Sequence, residues 1–235
     1  MDHLFDGIFV VNVPRCRDRR LHTERQFRAL GVTNYEFFPA VDGSTLDLAT
    51  MRARKMVLPD QSAKRDLTAG EVACSMSHAA VWETALARKY RTFLVCEDDA
   101  SFRADAGRLM ERQLHDVPSD WDAIYFYSSR PLGCGCEKDR RRKQITEYVW
   151  QGYEEGAGAL CYALTARGAR FLFDRHRPIQ TTSDGMTNWI TLFDGYRGYI
   201  VNPLPCCHAG GFRSEINAIE SRPPYGSPTS SSSGQ

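Results

Sequence analysis

Residues 7–43 read as strand, helix, strand, and that order constrains the fold more than any other feature of the chain. Gly7-Ile8-Phe9-Val10-Val11-Asn12-Val13 is a β-branched and aromatic run stopped by Pro14. Apolar on both alternating faces, it has the pattern of a strand buried on both sides. A polar turn follows, in which Asp18 is placed to cap a helix through Leu21, Phe27 and Leu30 that stops at Gly31. Tyr35 to Val41 alternates as a second strand and ends in the turn Asp42-Gly43. A βαβ unit of this length requires a largely parallel sheet with helices packed on its faces. The expected fold class is therefore α/β, a Rossmann-type mixed but mainly parallel sheet flanked by helices. It forms one domain over residues 1–220, followed by a disordered Ser/Pro/Gly tail from 221 to 235.

The remaining pattern fits that plan. Residues 44–66 are polar and weakly patterned, which predicts a surface excursion. Thr68-Ala69-Gly70-Glu71 has the spacing of a capping box, opening a helix that turns Val72, Met76, Ala79, Ala80 and Leu86 inward and reaches about Lys89. Thr92 to Cys96 is the next buried strand and runs directly into Glu97-Asp98-Asp99. A helix near Leu109 to Leu114, strands at Asp122 to Tyr127 and Ala157 to Leu164, and a helix capped by Thr165 come next. Another helix, capped by Ser183 or Asp184, runs to Phe193. A late strand, Tyr196 to Val201, precedes Pro203-Leu204-Pro205. The charged run from Glu137 to Lys143 reads as a solvated loop.

Composition removes several function classes. Lys and Arg number 30 against 29 Asp and Glu, a formal charge of +1, so no broad cationic field exists for nucleic acid. No run approaches the roughly 18 apolar residues of a membrane span. The first residues lack the basic flank and apolar length of a signal peptide. A cytoplasmic protein is expected, with peripheral membrane contact left open. Neither Cys134-Gly135-Cys136 nor Cys206-Cys207-His208 has zinc-type spacing, so the eight cysteines read as reduced, unligated thiols.

Three consecutive acids at the end of an apolar strand are the strongest chemical signal. Like charges placed together at such a point repel unless a cation joins them. The carboxyl ends of strands are where open α/β sheets bind ligands. Hard oxygen donors there suit Mg²⁺ or Mn²⁺ bridging to a diphosphate. A solvated strand end is the competing reading.

The order of landmarks resembles glycosyltransferase family 25. Val10-Val11-Asn12-Val13 with Arg15, Asp18 and Arg19 is similar to the family's opening block. Ala40-Val41-Asp42-Gly43 follows, then Leu67 to Cys74 with Ser77-His78 and Trp82, then Leu94 to Asp99. Gly158 to Tyr162 with Gly168-Ala169, Asp184, and Ser214-Glu215-Ile216 complete the series. Departures include Val13-Pro14, Glu215, and His208 near a position where the family often has Gln. The resemblance implies a GT-A-like fold, a UDP-sugar donor and Mn²⁺ or Mg²⁺. It also implies inverting transfer of a hexose, galactose or glucose, to a glycan, lipid-linked glycan or protein acceptor, as in lipopolysaccharide biosynthesis. On that basis Asp99 and His208 are the expected metal ligands and Asp184 the catalytic base. Glu97 or Asp98 would contact the ribose or brace the metal ligands. Asn12, Arg15, Arg19, Asp42, Ser77 and His78 would lie against the nucleotide diphosphate. Two other classes compete. One is an inactive relative that only binds sugar or nucleotide. The other is a nucleotidyltransferase, disfavoured because residues 12–20 contain none of the glycines of a phosphate loop.

Overall fold

The structure is a computed structural model that describes residues 1–60, 63–128, 143–151, 158–189 and 195–212. Outside these residues lie Cys134 and Cys136, the charged run up to Arg142, the block at 214–216, the tail and the expected helix extension to Phe193.

Along the chain, β1 (Gly7–Asn12), α1 (Arg17–Ala29) and β2 (Glu36–Pro39) form the expected βαβ unit. A 3-10 turn (Gly43–Thr45), α2 (Leu48–Ala53) and α3 (Ala69–Ala87) lead to β3 (Thr92–Glu97). Then come β4 (Ala100–Phe102), α4 (Ala106–Asp116), β5 (Ala123–Tyr125), β6 (Lys143–Gln144) and β7 (Val149–Gln151). The described chain closes with β8 (Cys161–Thr165), α5 (Ala166–Arg175), α6 (Ser183–Trp189), β9 (Gly198–Val201) and β10 (Cys206–His208).

The central sheet has the order β2-β1-β3-β8-β5-β9-β7-β6. From the pairings, β2, β1, β3, β5, β9 and β6 point one way, while β8 and β7 are reversed. The sheet is thus mixed, with most strands in one direction. Period-2 alternation divides its side chains between two cores. Ile8, Val10, Leu94, Cys96 and Ile124 face Phe27 of α1 and Met110 of α4. Phe9, Val11, Phe93, Val95 and Tyr162 face Val81 and Trp82 of α3 and Leu172 of α5. The near-continuous apolar strands follow from this: every position is buried on one face or the other.

The α3 capping box forms as read. Thr68 Oγ1 accepts the Glu71 N–H at 3.2 Å, and a Glu71 oxygen accepts the Thr68 N–H at 2.8 Å. Such a cap contributes about 1 kcal/mol. Thr165 caps α5 through the Gly168 N–H.

Three expectations change, and one pairing is added. Asp18 does not cap α1: Cys16 occupies the cap with no side-chain bond, and Asp18 sits in the first turn, where its charge favours the helix dipole. Residues 44–66 are more than a surface excursion. They contain α2 and bury Val57, which packs with Leu67, Val72 and Ile179 into a small third core; the anchors are spread among polar residues, so no window shows them. Neither Ser183 nor Asp184 caps α6. Thr182 does, its hydroxyl accepting the Gly185 N–H and its carbonyl the Met186 N–H. Finally, β4 and β10 pair as a separate antiparallel ribbon that brings His208 opposite Ala100.

Candidate active site

One edge of the sheet collects the chemistry. The parallel strands β1, β3 and β5 end there, and the reversed strand β8 begins there. Asn12, Glu97-Asp98-Asp99, Tyr127 and the 158–160 segment therefore meet at the same rim, with Glu97 N–H bonded to Leu160 O at 2.8 Å. The three acids then diverge.

Asp98 turns toward α1. Its Oδ2 accepts Asn12 Nδ2 at 2.7 Å and its Oδ1 accepts Arg19 Nη1 at 2.8 Å. Asn12 Nδ2 also reaches Cys16 O at 3.2 Å, and Thr23 Oγ1 donates to Asp98 O at 3.1 Å. Arg19 is itself buried, and Phe212 lies 5.6 Å from its guanidinium. Burial lifts the Asp98 carboxyl above its ordinary value, while Arg19 and Asn12 pull in the opposite direction. Asp98 is bonded to both Asn12 and Arg19, an internal brace for the strand ends.

Asp99 has a different environment. Its Oδ2 lies 3.1 Å from Arg19 and 3.8 Å from His208 Nδ1, and its Oδ1 is buried with no hydrogen-bond partner. The ribbon holds His208 there, because Ala209 N–H donates to Asp99 O at 2.8 Å. Glu97 faces the other way, its Oε1 3.4 Å from Nε2 of the fully buried His78. Burial and the charges of Asp99 and Asp184 raise the Glu97 carboxyl, despite the opposing pull of His78.

Asp184 arrives from α6. Its Oδ1 accepts the Ala159 N–H at 2.7 Å, and the residue is exposed. Because Thr182 serves as the cap, the Asp184 carboxylate is free of that duty. Gly158 permits the approach: a Cβ there would lie 2.9 Å from the Tyr127 ring and 3.8 Å from Asp184 Oδ2.

Tyr127 is a site residue that sequence reasoning missed. Its ring meets His208 edge-on at 5.1 Å. Burial and the charges of Asp184, Glu97 and Asp99 push its hydroxyl up to about 12. An aromatic residue just past the end of β5 carries no pattern that separates it from core. Cys74 is the other, half-buried, with its Sγ 3.2 Å from Ser183 Oγ. Burial first, then the charges of Glu97, Asp184 and Asp99, lifts its thiol well above the usual range.

Three expected contact residues are engaged close to home. Arg15 Nε donates to Asp42 Oδ2 at 2.6 Å, and with Ser44 this holds the Asp42 carboxyl well below the usual range. Ser77 Oγ accepts the Val41 N–H at 2.9 Å and donates to Ala73 O at 2.7 Å. Gly43 lets this turn pack on the start of α3, since a Cβ there would meet Ala69 O at 2.8 Å.

Among these acids, Asp99 offers a hard divalent cation an oxygen donor. Asp99 Oδ1 is a buried oxygen without a partner, and the Glu97, Asp99 and Asp184 carboxylates lie near enough to perturb common neighbours. Such a concentration of negative charge attracts a small cation with oxygen preference.

The comparisons with known proteins point one way. A family model described as glycosyltransferase family 25 (LPS biosynthesis protein) matches residues 5–187. The inactive glycosyltransferase 25 family member 3 of Homo sapiens is 34% identical over 177 residues, covering 72% of this chain and 28% of that protein. Procollagen galactosyltransferase 2 of Mus musculus is 34% identical over 135 residues, covering 54% of this chain and 21% of its own length. A glycosyltransferase 25 family member of Aedes aegypti is 36% identical over 204 residues, covering 79% and 32%. The chain spans less than a third of the length of each of these relatives.

Proposed function

The chain belongs to glycosyltransferase family 25, and from that premise we propose that it is an active, inverting hexosyltransferase working in the cytoplasm. Its donor is a UDP-sugar carrying galactose or glucose, its acceptor a glycan, lipid-linked glycan or protein, and its cofactor Mn²⁺ or Mg²⁺. The names borne by the family and by its procollagen galactosyltransferase member support a galactosyl donor and glycan or protein acceptors. The observation that carries the reading is the gathering of Glu97, Asp99 and Asp184 at one rim, with a buried Asp99 oxygen left without a partner.

Inverting transfer is an in-line displacement, so it needs a base on the attacking side and charge neutralisation on the leaving side. Asp184 is the base. The Ala159 N–H fixes one of its oxygens, and the other takes the proton of the acceptor hydroxyl as the new bond forms. Asp99 and His208 hold the cation, which when bound supplies positive charge to the departing nucleoside diphosphate. Glu97 adds negative charge beside them from its place against His78. Asn12, Arg19 and Asp98 keep the strand ends rigid. Arg15, half-exposed beside Asp42, has a planar fork suited to a phosphate at the rim. Tyr127 packs under His208 and limits its orientation. No helix among the described residues is long and apolar enough to cross a membrane.

A second reading, an inactive binding module, is favoured by the human relative named as inactive. One experiment separates the two: a panel of nucleotide sugars with Mn²⁺ or Mg²⁺, read by nucleotide release and thermal shift. The active reading expects metal-dependent release from a UDP-hexose. Stabilisation by nucleotide sugar without release, across the panel and with acceptors present, would replace it with the binding module.

A further inference from the structure

A second cluster of ligating atoms lies on the α3 side of the same rim. Cys74 and His78 are four residues apart on α3, so the helix turns both side chains to one face. That spacing places two metal-binding side chains together on a helix in the same way as His-x₃-His. Glu97, at the end of β3, supplies a third donor from the facing element. One ligand atom from each of the three lies within 4.8 Å of the other two. His78 Nε2 and Glu97 Oε1 are 3.4 Å apart, close to the separation of about 3.3 to 3.8 Å expected between two ligands of one tetrahedral zinc.

The histidine supplies an independent indication. His78 is fully buried, and its Nε2 has no hydrogen-bond partner although it points at the cluster. Its other nitrogen is held from behind. Nδ1 lies 2.8 Å from the Tyr162 hydroxyl, and Trp82 Nε1 donates to that same oxygen at 2.9 Å. Metal binding at Nε2 selects the tautomer in which Nδ1–H is donated to the remaining lone pair of that oxygen, Trp82 being a donor that takes the other. In that tautomer Nε2 is bare and faces Cys74 and Glu97. A metal-bound histidine typically has this support, its distal N–H given to a fixed oxygen.

We propose that Cys74, His78 and Glu97 form a binding site for Zn²⁺ or a cation of similar softness, separate from the hard-cation site at Asp99 and His208. The donor chemistry separates the two. Both offer an imidazole, but the Cys74 thiolate selects zinc-like ions, whereas the Asp99 carboxylate suits Mg²⁺ or Mn²⁺. On binding, the thiol proton of Cys74 leaves to solvent and the sulfur bonds the metal as thiolate. Three protein ligands leave a coordination position open, the pattern of a zinc site accessible to water or substrate. The proposal does not depend on sugar transfer, because the site consists wholly of this chain's own atoms.

Cobalt is the direct probe. The chelator-treated full chain, without donor or acceptor, is titrated with Co²⁺ and then with Zn²⁺. The wild type should develop a thiolate-to-cobalt charge-transfer band in the near ultraviolet, which Zn²⁺ then removes. Cys74→Ser should lose the band and bind Zn²⁺ at least roughly a hundredfold more weakly. Glu97→Gln should keep the band and weaken binding roughly tenfold or more, so the test stands even if the cysteine variant fails to fold. Asp99→Asn should keep both band and affinity. No band in the wild type, a full band in Cys74→Ser, unchanged affinity in Glu97→Gln, or loss of the band in Asp99→Asn would each overturn the proposal.

Discussion

Asp98 and Asp99 are consecutive residues with different surroundings. On the α1 side of the rim, both oxygens of Asp98 are bonded to Asn12 and Arg19, and a buried arginine sits against its charge. Asp99 shares that arginine through Oδ2 at 3.1 Å, but its Oδ1 is buried without a partner, and Glu97 and Asp184 add negative charge nearby. One side is internally compensated and contributes rigidity. The other has Asp99 paired through one oxygen only, and the excess of carboxylates around it is charge that a cation would relieve. On the proposed function, stability belongs to the first side and chemistry to the second, a division that functional sites show when they hold charges the fold alone would not choose.

The sharpest way to break this contrast is Asp99→Asn. Turnover should fall roughly a thousandfold, equivalent to several kcal/mol of barrier, with the unfolding midpoint nearly unchanged. Steady-state kinetics and thermal melts on the same preparations check it, and a variant that keeps its turnover would end the distinction between the two acids. Arg19→Met probes the other side. It removes the cation from the buried Asp98 carboxylate and from Asp99 beside it, so denaturant unfolding should show a loss of roughly 3 to 5 kcal/mol. A loss within experimental error would mean that Asp98 is not compensated as described.

Asp184→Asn should cut turnover about a hundredfold with donor affinity preserved. If donor affinity falls and turnover does not, Asp184 binds rather than abstracts.

The smallest expected effect concerns pH. Glu97 is raised above its ordinary value by burial and by its acidic neighbours, so the folded state holds its proton more tightly than the unfolded state. Stability from that proton is present below the unfolded value and declines as pH rises through it toward the raised folded value. Metal-free Glu97→Gln should therefore melt slightly higher than wild type at neutral pH, with the difference vanishing in acid. A lower melting point at neutral pH would place Glu97 on the compensated side with Asp98.

Local signals in the sequence survived folding well. Thr68 with Glu71 and Thr165 with Gly168 cap their helices as their spacing predicts, because each cap needs only residues a few positions away. Where several candidates stood in a row, local rules could not choose. The expected cap is Ser183 or Asp184, yet Thr182 just before them can cap as well and does so, while the bond from Ala159 claims Asp184. The division of labour among Glu97, Asp98 and Asp99 was illegible for a similar reason. Strand alternation says that neighbours point apart, but Arg19, Asn12 and His78, which decide what each acid meets, come from distant parts of the chain. The short strands β4 and β10 offered too few residues for a period to register, yet their pairing brings His208 to Asp99. Tyr127 had no signal at all.

The central claim is that the half of this rim holding Asp99 and its partnerless oxygen takes up a divalent cation together with a nucleoside diphosphate. Mn²⁺ binding measured by electron paramagnetic resonance, with and without UDP, tests it most directly in wild type and Asp99→Asn. Depletion of the free Mn²⁺ signal by the wild type when UDP is present, and not by the variant, is the predicted result. Equal depletion by both proteins, or none by either, would contradict it.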